Sequence, residues 1–333
     1  MNDLGVLYEN GRGGKPDYAA AKQWYGRAAD AGNMSATTSL GLLYEEGHGV
    51  ARDYAKAREY WEKAAAAGEP WAMHDLGLLY ERGAGVPVDY AAARQWYERS
   101  ADAGDEIAMA NLGALYENGR GVSRDYKKAR QWYEKGAGAG DSWAMYDLGA
   151  LYENGHGVPR DYGVARDWYQ KAAAAGLTSA MTGIGGLYQN GHGVPKDYAA
   201  ARQWYEKAVA AGDSWGMTDL GALYENGFGV PKDYKLARQW YEKGAEAGDS
   251  DAMRNLGNMF EKGLGVPQDY AAARQWYEKA AAAGDGPSMT KLGTFYEKGS
   301  GVPRDLAVAR QWYQKGLDAG DSDARKRVRS LPR

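Results

Sequence analysis

Gly5, Gly41, Gly77, Gly113, Gly149, Gly185, Gly221, Gly257 and Gly293 stand 36 residues apart without a break. Around them Tyr80, Gly83, Gly85, Asp89, Ala93 and Gly104 recur in nearly every copy. A period of this length means a stack of one small unit, because a single unit cannot bury its own apolar face. No linker, charge block or change of composition interrupts the register, so residues 1–333 read as a single all-α repeat domain.

Each copy holds two helices. In "WAMHDLGLLYERG", Ala72, Leu76, Leu79 and Tyr80 recur at spacings of three and four and share one face. "GAGVP" then stops the helix. Asp89 is placed to cap the second helix, "YAAARQWYERSADAG", which closes at Gly104. The pair is expected to form an antiparallel αα-hairpin. Gly77 costs a helix about 1 kcal/mol against Ala, and its recurrence predicts that the backbone of another helix comes close there. Nine of the twelve tryptophans lie in second helices, at Trp24, Trp61, Trp96, Trp132, Trp168, Trp204, Trp240, Trp276 and Trp312. Their regularity points to the core. Trp61 is one place out of register, because its pair reads "YW", which implies two exchanged packing roles.

The ends depart from the pattern. Leu306 replaces a tyrosine, and the last first-helix, "SDARKRVRS", carries charge where other copies carry Met and Leu-Gly. Residues 321–333 therefore read as a polar capping helix and tail. The chain starts partway through a copy, which implies either a removed upstream segment or an open edge able to stack end-to-end on a second copy.

The pattern resembles the Sel1-like repeat family, a relative of the tetratricopeptide repeat. Ala144, Leu148–Gly149, Tyr152, Gly155–Gly157–Val158, Asp161–Tyr162, Ala165, Trp168–Tyr169 and Ala175–Gly176 carry the resemblance, over about nine copies. The first copy departs from it with "GRGGKPD", where Gly14 takes the place of Val. The family implies a right-handed superhelix with a concave groove lined by first helices, acting as an adaptor for protein partners, bacterial members included. One cysteine-rich branch binds or hydrolyses β-lactams. This chain has no Cys and lacks that branch's disulfide framework, so such an activity is a remote alternative.

Positions that vary between copies are where a partner would be read. The column containing residue 71 reads Ser35, Trp71, Ile107, Trp143, Ser179, Trp215, Asp251, Pro287 and takes the three remaining tryptophans. With first helices packed about 10 Å apart these would stand about 20 Å from one another, as anchors for an extended peptide. Filling of a gap between repeats is the competing reading. Trp71, His74, Leu78, Glu81 and Arg82 fall on one helical face and are expected to be exposed. In the variable next column His74, Tyr146 and Arg254 would tune selectivity. Glu9, Glu45, Glu81, Glu117, Glu153, Glu225, Glu261 and Glu297 form an acidic stripe, with a structural role favoured by its constancy.

Nothing points to catalysis or a cofactor. His48, His156 and His192 sit between turn glycines, and two histidines one repeat apart make a poor metal site. No Ser-His-carboxylate arrangement stands out, and the turn lacks the third glycine and preceding strand of a dinucleotide fold. A net charge of −3, with Arg202 four residues before Glu206, describes a solvated face rather than a phosphate track. No apolar run is long enough to span a membrane and the first residues are no signal peptide, so compartment stays open between cytoplasm and export with an upstream segment removed. The reading is a non-enzymatic scaffold that binds a protein or peptide through Trp71, Trp143 and Trp215. Carbohydrate binding is the first rival. A purely structural or designed scaffold, with all three tryptophans buried, is the second.

Overall fold

The computed structural model describes residues 1–12 and 14–331; Gly13 of the atypical first turn, and Pro332 and Arg333 of the basic tail, lie outside the described residues. Two compact units divide at residue 175. The first contains α1 (Asn2–Glu9), α2 (Tyr18–Asp30), α3 (Met34–Glu46), α4 (Tyr54–Ala66), α5 (Pro70–Arg82), α6 (Tyr90–Asp102), α7 (Glu106–Asn118), α8 (Tyr126–Ala139), α9 (Ser142–Asn154) and α10 (Tyr162–Ala174). The second contains α11 (Thr178–Asn190), α12 (Tyr198–Ala210), α13 (Ser214–Asn226), α14 (Tyr234–Glu246), α15 (Ser250–Lys262), α16 (Tyr270–Ala282), α17 (Gly286–Lys298), α18 (Leu306–Asp318) and α19 (Ser322–Ser330). Among the described residues there is no strand. Odd-numbered helices are the first helices of the repeats, and each up to α17 packs most closely on the helix that follows it.

The turn chemistry follows from the residues. Gly83 ends α5 in the left-handed region at φ +71°, and its N–H donates to the Leu79 carbonyl. The chain returns so that the Asp89 N–H donates to the Tyr80 carbonyl at 2.9 Å. Asp89 Oδ1 then accepts from the N–H groups of Ala91 and Ala92 at the start of α6. Gly85, also at φ +71°, has a second reason to be glycine. A Cβ there would lie 2.6 Å from Tyr54 Cβ of the preceding hairpin, so this turn rests directly on its neighbour. His48 and His156 belong to the same seam, stacking on Tyr18 and Tyr126 at 4.2 and 4.6 Å between ring centroids.

The buried apolar clusters join the second helix of one hairpin to the first helix of the next. Ala72, Leu76 and Leu79 of α5 are buried with Ala57, Trp61 and Ala64 of α4, Ala93 and Tyr97 of α6 with Leu112 and Leu115 of α7, and Tyr80 is half-buried. At Gly77 an aromatic ring comes closest, and at Gly149 and Gly221 the facing helix backbone is close as well, with the Ala165 and Ala237 carbonyl oxygens 3.2 Å from a built Cβ. A Cβ on Gly77 would lie 2.4 Å from Tyr97 Cε1. Tyr133 covers Gly113 and Tyr241 covers Gly221 in the same way.

The expectation for the second-helix tryptophans is corrected. Of each aromatic pair the tyrosine enters the core, and Trp96, Trp132 and their equivalents stay half-buried at the seams between hairpins. Trp132, for instance, packs against both the Tyr97 and the Tyr133 clusters. Trp61 does take the tyrosine's place, as its shifted register implies. It is fully buried over Gly41 and donates from Nε1 to the Thr38 carbonyl at 3.1 Å. Polar α19 lies against α17 and α18, burying Ala324 and pairing Arg327 with Glu297 at 3.6 Å.

Candidate functional site: the first-helix face

Within each unit the first helices of consecutive hairpins touch one another, as α3 does α5, α7 does α9, and α11 does α13. Shallow recesses open between them. In the first unit a recess of about 330 Å³ is lined by Ser35, Thr38 and Leu42 of α3, and by Trp71, His74 and Asp75 of α5. In the second, one of about 280 Å³ is lined by Thr182 of α11, Trp215, Thr218 and Asp219 of α13, and by Asp249 and Asp251 before and on α15.

Trp71, Trp143 and Trp215 are 50, 49 and 47 % exposed, the highest values for any aromatic side chain among the described residues. They do not fill gaps between hairpins. Burial of all three, expected of a purely structural scaffold, is not observed.

The neighbouring column is different. His74 is buried rather than exposed, because its ring bridges Trp71 above and Tyr97 below, with centroids at 6.3 and 5.8 Å. Its Nε2 accepts from Asn111 Nδ2 at 3.0 Å, which leaves the ring proton on Nδ1, 3.6 Å from Asp75. Tyr146 repeats the bridge between Trp143 and Tyr169. Arg254 is ion-paired with Asp285 and Asp251. In other copies a hydroxyl takes this place: Thr182 donates to Asp213 at 2.5 Å, and Thr218 donates to Asp249. At Thr182, Thr218, Arg254 and Thr290 the column thus ties one first helix to the N-terminus of the next, and at His74 and Tyr146 it supports a tryptophan from beneath.

The glutamate stripe is internal bonding. Tyr97 donates to Glu81 at 2.7 Å, and Tyr133, Tyr169 and Tyr241 donate to Glu117, Glu153 and Glu225. Burial first, and then the facing carboxylate, lift the Tyr313 hydroxyl to about 12 and push the other tyrosines higher. Asn118 and Asn154, exposed beside the stripe, donate to the carbonyls of Ala114 and Ala150 one turn earlier in their own helices.

Asp75, Asp147 and Asp219 escaped the sequence reading. Each follows an exposed tryptophan by four residues, on the same helical face. The signal was present: that column reads Asp3, Ser39, Asp75, Asn111, Asp147, Gly183, Asp219, Asn255, Lys291, and all three copies that carry the tryptophan have aspartate there. Asp147 is lifted to about 7 by burial, with Glu117 and Asp141 adding to it. Asp219 is also lifted to about 7 by burial, reinforced by Asp249, Asp213 and Asp251. Asp75 is raised by burial, with His74 opposing. Among the described residues no group of three His, Cys, Asp or Glu side chains is arranged to hold a metal ion, and no helix is long and apolar enough to cross a membrane.

Residues 1–33, 35–69, 72–105, 107–141, 144–177, 178–213, 216–249, 250–285 and 286–321 each match the Sel1 repeat model. The chain belongs to the Sel1 repeat family. It is similar to a protective antigen of uropathogenic Escherichia coli that displays an SLR fold, with 35% identity over 92% of this chain and a TM-score of 0.61. The chain spans 66% of that antigen's length. A Sel1 repeat protein from Oxalobacter formigenes is 33% identical over 79% of this chain and 99% of its own, with a TM-score of 0.62. An immunity protein from Pseudomonas aeruginosa shares the fold at 23% identity over 66% of this chain and 82% of its own, with a TM-score of 0.53. No curated protein sequence matches the chain.

Proposed function

We propose that this Sel1 repeat chain is a non-catalytic scaffold whose first helices, in each unit, hold an extended segment of a protein partner. Trp71, Trp143 and Trp215 are its anchors. The exposure of these three rings is the observation that supports this reading: they stand about half in solvent while the other tryptophans are buried or packed into seams. Rigid aromatic side chains lose little conformational freedom on binding and dominate many interfaces. His74 and Tyr146 act as positioning residues, because each ring packs edge-on to its tryptophan. Carboxylates and hydroxyls, rather than amides, line the two recesses beside Trp71 and Trp215, which favours a polypeptide over a sugar.

The test compares the intact chain with a folded variant carrying Trp71→Ala, Trp143→Ala and Trp215→Ala as baits in cell extract. Any retained protein is then purified and titrated against both. A partner that binds the intact chain at least tenfold more tightly than the variant supports the reading. Equal binding to both contradicts it.

A further inference from the structure

The chain's own tryptophans show what they accept. Arg99 stands over Trp96 at 4.3 Å from the ring centroid, Lys135 over Trp132 at 3.9 Å, Lys171 over Trp168 at 3.9 Å and Lys243 over Trp240 at 4.2 Å. In each case the cation comes from three residues further along the helix. That place holds His74, Tyr146 and Thr218 after the three exposed tryptophans. Among the described residues no Lys or Arg stands over Trp71, Trp143 or Trp215. An aspartate four residues on lies beside each of these uncovered rings.

At Trp215 the surroundings are most one-sided. Thr218 satisfies Asp249, and Thr182 satisfies Asp213. Arg254 on α15 is already held by Asp251 and Asp285. Asp219 has neither a hydrogen-bond nor an ion-pair partner among the described residues. The carboxylates are not arranged to chelate a metal ion; a ring face beside a single carboxylate instead suits a side-chain ammonium or guanidinium.

We propose, building on the scaffold reading above, that the Trp215 recess receives a lysine or arginine side chain of the partner segment. The cation lies over the Trp215 ring and pairs with Asp219. A cation over an indole face is favourable by about 0.5–2 kcal/mol depending on desolvation, and the paired carboxylate adds selectivity for charge over mere bulk. The raised affinity of Asp219 for its proton has a consequence for binding. Asp213, Asp249 and Asp251 face it, Tyr205 and Tyr241 lie beneath it, and Arg254 beyond Asp251 is the compensating cation. An arriving cation stabilises the ionised form and displaces the proton, so binding tightens from pH 6 to pH 8.

The probe is a fluorescein-labelled, end-capped peptide of four Lys-Gly units, titrated into the full-length protein at low salt with anisotropy as the readout. The same peptide with acetyl-lysine removes the charge while keeping the length. Asp219→Asn and Trp215→Leu are each expected to weaken the lysine peptide at least tenfold. Glu246→Gln, an exposed change of equal charge on α14, should leave it within twofold. The intact chain should bind several-fold more tightly at pH 8 than at pH 6, and Asp219→Asn should abolish that difference. Unchanged affinity in Asp219→Asn overturns the proposal, as does no binding of the lysine peptide by the intact chain. Equal binding of the acetyl-lysine peptide overturns it too. If that binding is still lost in Trp215→Leu, the tryptophan anchor stands without the charge; if it is kept, both readings fail at this recess.

Discussion

Tyr97 closes its hairpin twice: its ring lies on Gly77, and its hydroxyl donates to Glu81 at 2.7 Å, sixteen residues earlier in the chain. A glycine, a tyrosine and a glutamate thus form one device, repeated along both units. It explains why three unrelated residue types share a period.

Adding a methyl group at Gly77 forces the Tyr97 ring out of place. Gly77→Ala should destabilise the protein by about 1–3 kcal/mol despite the better helix propensity of alanine. Gly138, in the last turn of α8, has nothing within 4 Å of a built Cβ. Gly138→Ala should instead be neutral or stabilising by up to about 1 kcal/mol. Urea denaturation followed by circular dichroism measures both.

Tyr97→Phe keeps the ring and removes the donor. Glu81 retains Arg120 at 3.2 Å, so the cost should be modest, about 1–2 kcal/mol. Nature has made a related change at Trp61, whose indole N–H turns to the Thr38 carbonyl, and burial raises the pKa of Glu45 in that copy. A loss of less than about 0.3 kcal/mol in Tyr97→Phe would show that the hydroxyl–carboxylate bond adds nothing net.

Stability should also report on Asp147 and Asp219. Both carboxyls hold their protons to about pH 7 in the folded chain, against an ordinary value near 4 for an unfolded aspartate. Between those limits the native state binds more protons than the unfolded one, so stability falls as pH rises through the window. Asp147→Asn and Asp219→Asn remove that term. Each should be close to neutral at pH 4 and stabilising by about 1–3 kcal/mol at pH 8. Thermal melts across this range test the sign, and destabilisation at pH 8 would contradict it.

Thr218 tests the tie between hairpins. Thr218→Val keeps the shape and removes the donor to Oδ2 of the buried Asp249, whose Oδ1 keeps the Asp251 N–H at 2.9 Å. A loss of about 1–3 kcal/mol is expected, together with faster amide exchange at the start of α15.

Much of this was legible beforehand, for one physical reason: a period reports every position nine times over. The hairpins, the Asp89 cap, the Arg202–Glu206 pair at 3.4 Å and the exchanged role of Trp61 all follow from it. Which member of "WY" enters the core did not, because adjacent aromatic residues satisfy the same apolar pattern and differ by a rotation of one residue. His74 was misplaced because free variation of Thr, His, Tyr and Arg resembles a solvated column. Their common feature, a polar group that can reach the next hairpin or brace a ring, appears only once the hairpins are stacked. The Trp215–Asp219 pairing was readable from the columns, but only by comparing two of them at once.

The most direct test asks whether the exposed tryptophans hold the fold together. Trp71→Ala, Trp143→Ala and Trp215→Ala are combined in one protein and compared with the intact chain and with Trp61→Ala, using the far-ultraviolet circular dichroism midpoint in urea. Trp61→Ala, at a fully buried site, should cost about 3–5 kcal/mol. The triple variant should cost less than the single Trp61→Ala, since about half of each of its three rings already stands in water and leaves it only when a partner covers it. A loss in the triple variant as large as that of Trp61→Ala would make these residues packing groups and contradict the account.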